Sequence, residues 1–349
     1  MRIFVTGVEG YIGALLAPML EARGHDVVGT DTGYYRDGWL YSDKALKTFP
    51  RFFNRDLRRI TADDLKGFDA VVHLAELSND PLGQNKPEIT YQINHLGSLN
   101  LARNAKAAGV ARFVYTSSCS VYGVGSGDFL TEEAPVNPQT AYAHCKVNVE
   151  RDVGGLADER FSPVFLRNAT AYGPSPRMRF DIVLNNLVAW AVTKKLIYMK
   201  SDGTPWRPIA HIEDISRAFI AALEAHEEAV FNQAFNVGHT DHNYRIRDIA
   251  EIVADVVPGC KLEYSPDAGP DTRSYRVSFE KIARTLPAFK PKWDARLGAE
   301  QLYAAYRQSG LTLEEFEGPR YQRISHIKKL IDDGILDESL RHVHRVAAE

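Results

Sequence analysis

The chain has 349 residues, with 44% hydrophobic and 25% charged residues and a formal net charge of −3, so it is long enough for one large or two modest globular domains. That balance gives no electrostatic argument for nucleic acid or a membrane surface, and no apolar run has transmembrane length. Cys119, Cys145 and Cys260 have no paired spacing and fit reduced thiols. The eleven His include no His-Glu-x-x-His, and His342-x-His344 lies in a polar tail, so no metal site is expected.

Ile3, Phe4 and Val5 form a short apolar run of β-formers that suits a buried parallel strand. Arg2 leads straight into it, which is unlike a signal peptide. Gly7, Gly10 and Gly13 follow at three-residue spacing, and Leu15, Leu16, Met19 and Leu20 then carry a helical pattern with Pro18 inside it. This is the logic of a dinucleotide site. Gly7 permits a tight turn, Gly10 lets backbone approach a pyrophosphate, and Gly13 lets the helix pack on its strand. The phosphates would meet free N–H groups at the positive end of the helix.

Gly24 stops that helix, and His25 to Asp31 reads as the second strand. An acidic residue at its end can accept both ribose hydroxyls of an adenosine and repels a 2′-phosphate, which favours NAD; Arg36 nearby keeps NADP open. Residues 32–55 read as a loop with short elements. Asp69 to Ala75 is a further strand, Glu88 to Ala108 a helix stopped by Gly109, and Arg112 to Ser117 a strand. Alternating strands and helices predict a doubly wound parallel sheet, with ligands at the carboxyl ends of its strands.

Ser117, Ser118, Cys119 and Ser120 fall at such an end. Downstream, Pro138 and Thr140 look like a helix start, which puts Tyr142 and Lys146 one turn apart on one face. Of sixteen tyrosines, Tyr142 alone has a lysine four residues on. A phenol titrates at about 10 and is a poor base at neutral pH unless a cation lowers it. Lys146 and a positive nicotinamide ring can supply that field.

Phe161 to Arg167 is a strand, Tyr172 to Arg179 a long loop, residues 180–193 a helix with Asn185 and Asn186 toward the nucleotide, and Leu196 to Met199 a strand. The remainder alternates less regularly, as a smaller mixed lobe would. Tyr321 to Ile331 is amphipathic at helical spacing and reads as a packing or dimer surface, with Lys328-Lys329 solvated.

Together these residues resemble the extended short-chain dehydrogenase/reductases, in particular the nucleotide-sugar epimerase/dehydratase family. The resemblance spans roughly residues 1–290. It is carried by Thr6-Gly-x-x-Gly-x-x-Gly13, Asp31, Asp56-Leu57, His73-Leu-Ala75, Asn94, Ser117-Ser-x-Ser-Val-Tyr-Gly123, Tyr142-x-x-x-Lys146, Tyr172-Gly-Pro174, Asn185-Asn-Leu187, His211-Ile-Glu-Asp214 and Asn236-Val-Gly238. It implies an α/β fold: a Rossmann-type NAD-binding domain over about residues 1–175, with segments near 205–240 returning to it. A smaller mixed α/β lobe over 176–349 would bind a nucleotide diphosphate sugar. It also implies a homodimer through helices near 90–108 and 140–153, in the cytoplasm.

Carried over by position, the resemblance makes Tyr142 the general base and Lys146 the residue that holds the nicotinamide ribose and tunes Tyr142. Ser118 would hydrogen-bond the reacting sugar oxygen. Gly7, Gly10, Tyr11, Ile12, Gly13, Asp31, Asp56, Leu57, Leu74, Ala75, Asn94 and Ser117 would hold NAD. Ser120, Thr170, Asn185, Asn186, Arg207 and Arg273 would hold the substrate, the arginines by clamping phosphate or ribose.

Three departures bear on the reaction. Dehydratases of the family carry Asp-Glu where this chain has Cys119 and Ser120, which argues against dehydration. Members that epimerise beside a carbonyl use a Cys where Ser120 stands, and Cys119 fits a small buried residue better than an acid. Glu76 replaces a small residue after His-Leu-Ala, and Thr170 stands where many members have Asn. The expectation is NAD-dependent C4 epimerisation of a nucleotide diphosphate sugar. The alternatives are a reductase of a 4-keto-6-deoxy nucleotide sugar, a dehydratase, or a non-enzymatic NAD sensor.

Overall fold

The computed structural model describes residues 1–40, 51–78, 86–125, 127–269 and 274–343. The first strand, Arg2–Thr6, is an inner strand of a seven-stranded parallel sheet. On one side of it lie Asp26–Asp31 and then Arg51–Asn54; on the other lie Ala70–His73, Arg112–Ser118, Ser162–Asn168 and Gln233–Val237. The order of strands reverses at Arg2–Thr6, and a doubly wound sheet opens a crevice at such a reversal, beyond its carboxyl ends. The edge strand Arg51–Asn54 is one of the short elements expected within the loop over 32–55, of which residues 41–50 lie outside the described residues. It pairs along Val28–Asp31, a long-range contact that its own short stretch does not announce.

Helix Gly13–Ala22 runs through Pro18 unbroken. The expected helix after Glu88 forms as Pro87–Thr90, a wide π segment Tyr91–Gly97, and Ser98–Ala107. Helix Ala141–Gly154 begins at Thr140, whose hydroxyl accepts from the Ala143 N–H at 3.2 Å. Its buried face, with Val149 and Val153, packs in the cluster that holds Phe113, Tyr115 and Phe165 beneath the sheet. On the opposite face Leu16, Ala17 and Leu20 meet Ile215, Ala218 and Phe219 of helix Ile212–Glu224.

A second core gathers around helix Val183–Lys194, with Ile249, Val253, Leu302 and Tyr306. Two small sheets flank it. Trp206–His211 joins Thr170–Tyr172 and Asn243–Arg245, and Leu196–Ser201 pairs with Lys261–Gly269. The amphipathic helix near the C-terminus, Arg323–Asp332, does not join this core. Ile327, Leu336 and Leu340 pack with Tyr34, Leu77 and Ile93 in a cluster of their own. Among the described residues no helix is long and apolar enough to cross a membrane.

Candidate active site

A cavity of about 910 Å³ lies at the carboxyl ends of the parallel strands. That is near the upper end of the range for ligand pockets. Gly7, Gly10, Tyr11, Ile12 and Gly13 line one end of it. Gly7 adopts a left-handed φ of +73°, and a Cβ on Gly13 would stand 2.1 Å from the Gly7 carbonyl oxygen. The turn therefore needs glycine for its backbone and for helix-to-strand contact. It leaves a side-chain-free cradle at a helix start, which fits a dinucleotide diphosphate.

Asp31 closes this end. Its carboxylate accepts from the Glu9 N–H at 3.1 Å and the Gly33 N–H at 2.9 Å. Burial raises its pKa, and the bond from Gly33 works against the rise. Arg36 also reaches the cavity, but its guanidinium is paired with Glu9 at 3.0 Å. Asp56 and Leu57 line the same region; Asp56 holds Arg58 at 2.6 Å.

Leu74 and Ala75 form the floor. Their N–H groups both donate to Thr6 Oγ1 at 3.2 Å, and that hydroxyl bonds His73 Nδ1 at 2.7 Å. His73 Nε2 meets Ser98 Oγ at 2.7 Å, and Ser98 donates to the Asn94 carbonyl at 2.6 Å. Burial, with Lys146 nearby, lowers the His73 pKa to about 3, so this network carries a neutral imidazole.

Asn94 itself does not line the cavity. Its amide accepts from the Leu77 N–H at 2.8 Å and donates to the Leu77 carbonyl at 2.9 Å. It clamps the cavity wall from behind.

Ser117, Ser118, Ser120, Tyr142, Lys146 and Thr170 all line the middle of the cavity. Ser117 donates to Glu150, which is ion-paired with Arg167 at 2.7 Å. Ser118 Oγ accepts from the Ser120 N–H at 3.1 Å. Ser120 Oγ and Asn168 Oδ1 are buried without a hydrogen-bond partner, and both residues face this space. Unpaired buried acceptors and donors on a cavity wall call for a polar ligand.

Cys119 points away. Its thiol donates to the Arg167 carbonyl at 3.1 Å, and burial pushes its pKa well up.

The Lys146 ammonium donates to the Thr116 carbonyl and lies 5.1 Å from the centre of the Tyr142 ring. It is also ion-paired with Glu76, and both side chains are almost fully buried, at 1% and 2% exposure. Tyr115 donates its hydroxyl to the other Glu76 oxygen at 2.5 Å.

At the far end Arg207 and Tyr275 line the cavity, with the guanidinium 5.7 Å from the ring centre. Arg273 lies outside the described residues. Asn185 and Asn186 correct the expectation that they face the nucleotide, because neither reaches the cavity. Buried Asn185 accepts from the Gly173 N–H at 3.0 Å and donates to Tyr11 Oη at 3.1 Å, so it ties the glycine turn to helix Val183–Lys194. Asn186 donates to the Phe180 carbonyl at 2.8 Å.

Among the lining residues that the sequence does not single out, four are polar or charged groups of note. Arg179 and Asp181 pair at 2.8 Å, Asn168 ends a central strand, and Arg323 arrives from the C-terminal helix. The position of Asn168 at its strand's carboxyl end is a usable signal; the others carry no local one. Among the described residues no cluster of three or more His, Cys, Asp or Glu could hold a metal ion.

Known proteins share this framework. UDP-glucose 4-epimerase of Mycolicibacterium smegmatis is 30% identical over 312 residues, covering 84% of this chain and 94% of that one. UDP-glucuronic acid decarboxylase 1 of Arabidopsis thaliana is 26% identical, covering 91% and 72%. The solved structure of MoeE5 in complex with UDP-glucuronic acid and NAD is 25% identical, with a TM-score of 0.76, covering 88% of this chain and 100% of that one. A family model described as the NAD dependent epimerase/dehydratase family matches residues 3–238, and the chain belongs to that family.

Proposed function

We propose that this protein is an NAD-dependent epimerase of a nucleotide diphosphate sugar, inverting C4 through transient oxidation to a keto sugar. The observation that carries the reading is the convergence of Tyr142, Lys146 and Ser118 on one cavity with the glycine turn. NAD, when bound, supplies a hydride acceptor that gives the hydride back. Gly7, Gly10, Tyr11, Ile12 and Gly13 would hold its diphosphate, Asp31 its adenosine ribose, and Asp56, Leu57, Leu74, Ala75 and Ser117 its flanks.

Tyr142 Oη takes the proton from the sugar hydroxyl as oxidation begins and returns it as reduction ends. The Lys146 ammonium favours the phenolate during that interval. Ser118 and Ser120 offer hydroxyls to the sugar, Thr170 borders it, and Arg207 balances the nucleotide's charge. Arg273 would clamp the nucleotide's phosphate or ribose, on its motif position alone.

Two features favour epimerisation over other reactions of the family. Residues 119 and 120 supply no Asp-Glu pair for loss of water. Asp31 at the ribose position, with Arg36 engaged by Glu9, suits NAD over NADP, and so a recycled cofactor over a consumed one. We take the enzyme to be a cytoplasmic homodimer, with a dinucleotide lobe over about 1–175 and a substrate lobe over most of 176–349.

The test is incubation of the purified protein with a panel of uridine and thymidine diphosphate sugars and no added NADH. Formation of a 4-epimer with constant NAD content is expected. Product that forms only with stoichiometric NADH would replace this reading with the keto-sugar reductase.

A further inference from the structure

Glu76 directly follows the His73-Leu-Ala75 stretch, and it faces the residue pair on which the proposed chemistry turns. Its carboxylate reaches Lys146 with one oxygen and accepts from Tyr115 with the other. The ammonium spends a second N–H on the Thr116 carbonyl, which leaves one N–H for the cavity. Lys146 is therefore fixed from below, within 5.1 Å of the Tyr142 ring centre and 4.7 Å of that of Tyr115.

Several elements bring titratable groups to Tyr142 and Lys146. From the strand Ala70–His73 and the turn after it come His73, held neutral, and Glu76. Tyr115 comes from Arg112–Ser118, and its pKa lies well above the ordinary value because of burial and Glu76. From the helix of Tyr142 come Cys145, whose thiol burial pushes up to about 12, and Glu150, paired with Arg167. Tyr91 of the neighbouring helical segment lies near Cys145, and Arg179, near Tyr142, is paired with Asp181. Burial disfavours the Lys146 ammonium, but Glu76 together with Tyr142 and Cys145 brings its pKa above the ordinary value; burial likewise raises the Glu76 pKa, and Lys146 and the Tyr115 hydroxyl work against that rise. Glu76 is thus the anion that Lys146 answers directly.

We propose that Glu76 is a positioning residue: its buried carboxylate locks Lys146 against the Thr116 carbonyl and offsets the ammonium's pull on Tyr142, setting the pH at which Tyr142 becomes a base. The cation that lowers a phenol's pKa is then attenuated, and the pair with its carboxylate titrates as one coupled unit. Removing the carboxylate eases formation of the Tyr142 phenolate. This rests on Tyr142 being the proton acceptor, but its test needs no sugar and is independent of which reaction the enzyme performs.

The experiment is a near-ultraviolet tyrosinate titration of the purified protein, taking each form minus its Tyr142→Phe counterpart to isolate Tyr142. Glu76→Gln keeps the side-chain shape, Glu76→Ala removes the side chain, and Glu76→Asp keeps the charge. The Tyr142 midpoint is expected to fall by about one pH unit or more in Glu76→Gln and Glu76→Ala, and to stay near the wild-type value in Glu76→Asp. If Glu76→Gln fails to fold, Glu76→Ala decides alone. An unchanged or raised midpoint without the carboxylate, or an equal fall in Glu76→Asp, overturns the proposal.

Discussion

The hydroxyl of Tyr34 donates to the carbonyl of Leu340, across 306 residues of sequence. Arg58 reaches the same carbonyl at 3.0 Å and that of Ser339 at 2.9 Å, and His326 bonds the Tyr34 carbonyl at 2.6 Å. The C-terminal segment is thus fastened over the loop that follows Asp31. It brings Arg323 to the cavity wall, with its guanidinium 4.4 Å from the Tyr35 ring centre.

Arg323 is a cation placed beside the end of the cavity that suits an adenosine diphosphate. Replacing it with alanine is expected to weaken NAD binding about tenfold, or about 1.4 kcal/mol, as the loss of one charge-assisted contact would. Calorimetric titration of NAD into cofactor-stripped protein measures this. An affinity equal to that of the wild type would assign Arg323 to packing.

Tyr142→Phe removes the proton acceptor and little else. The expected outcome is a fall in kcat of about 10²- to 10⁴-fold with NAD content and melting temperature held. A variant that keeps wild-type turnover would remove Tyr142 from the chemistry.

Gly13→Ala places a methyl 2.1 Å from the Gly7 carbonyl oxygen, against backbone that cannot swing aside. Overpacking of this kind costs about 1–3 kcal/mol or more. The turn it displaces is the diphosphate cradle, so loss of NAD binding should accompany the fall in denaturation midpoint. Gly24→Ala, where a Cβ meets nothing within 4 Å but φ is +84°, should lower stability without affecting NAD.

His73 makes stability depend on pH with a definite sign. Its folded pKa of about 3 lies below the ordinary 6.5, so the unfolded chain binds the extra proton. The contribution is fully present above about 6.5 and is lost as pH falls from 6.5 toward 3, at about 1.4 kcal/mol per unit once well inside the window. Denaturant titrations at pH 7 and pH 5 should show a larger loss for the wild type than for His73→Gln. Equal losses would mean that His73 is not held neutral.

What is legible in the sequence is local. The glycine turn, Asp31 and the Tyr142–Lys146 pair each depend on residues a few positions apart, where strand ends and helix periodicity fix direction. The motifs of Asn94, Asn185 and Asn186 point to ligands. Their amides instead satisfy backbone groups at Leu77, Gly173 and Phe180, choices that only the packed chain reveals. Glu76 is visible as an odd residue, but its partner Lys146 stands on another element far along the chain. Arg323 is hidden for the same reason, on a helix whose pattern shows an apolar face without saying what it covers.

The central claim is that oxidation and reduction occur on one bound NAD. The most direct measurement supplies a 4-deuterated nucleotide sugar that the panel identifies as substrate, without added NADH, and follows the label by mass and magnetic resonance. The account predicts a 4-epimer that retains deuterium at C4 with no net change in NADH. Deuterium lost to solvent, or product limited by added NADH, would contradict it.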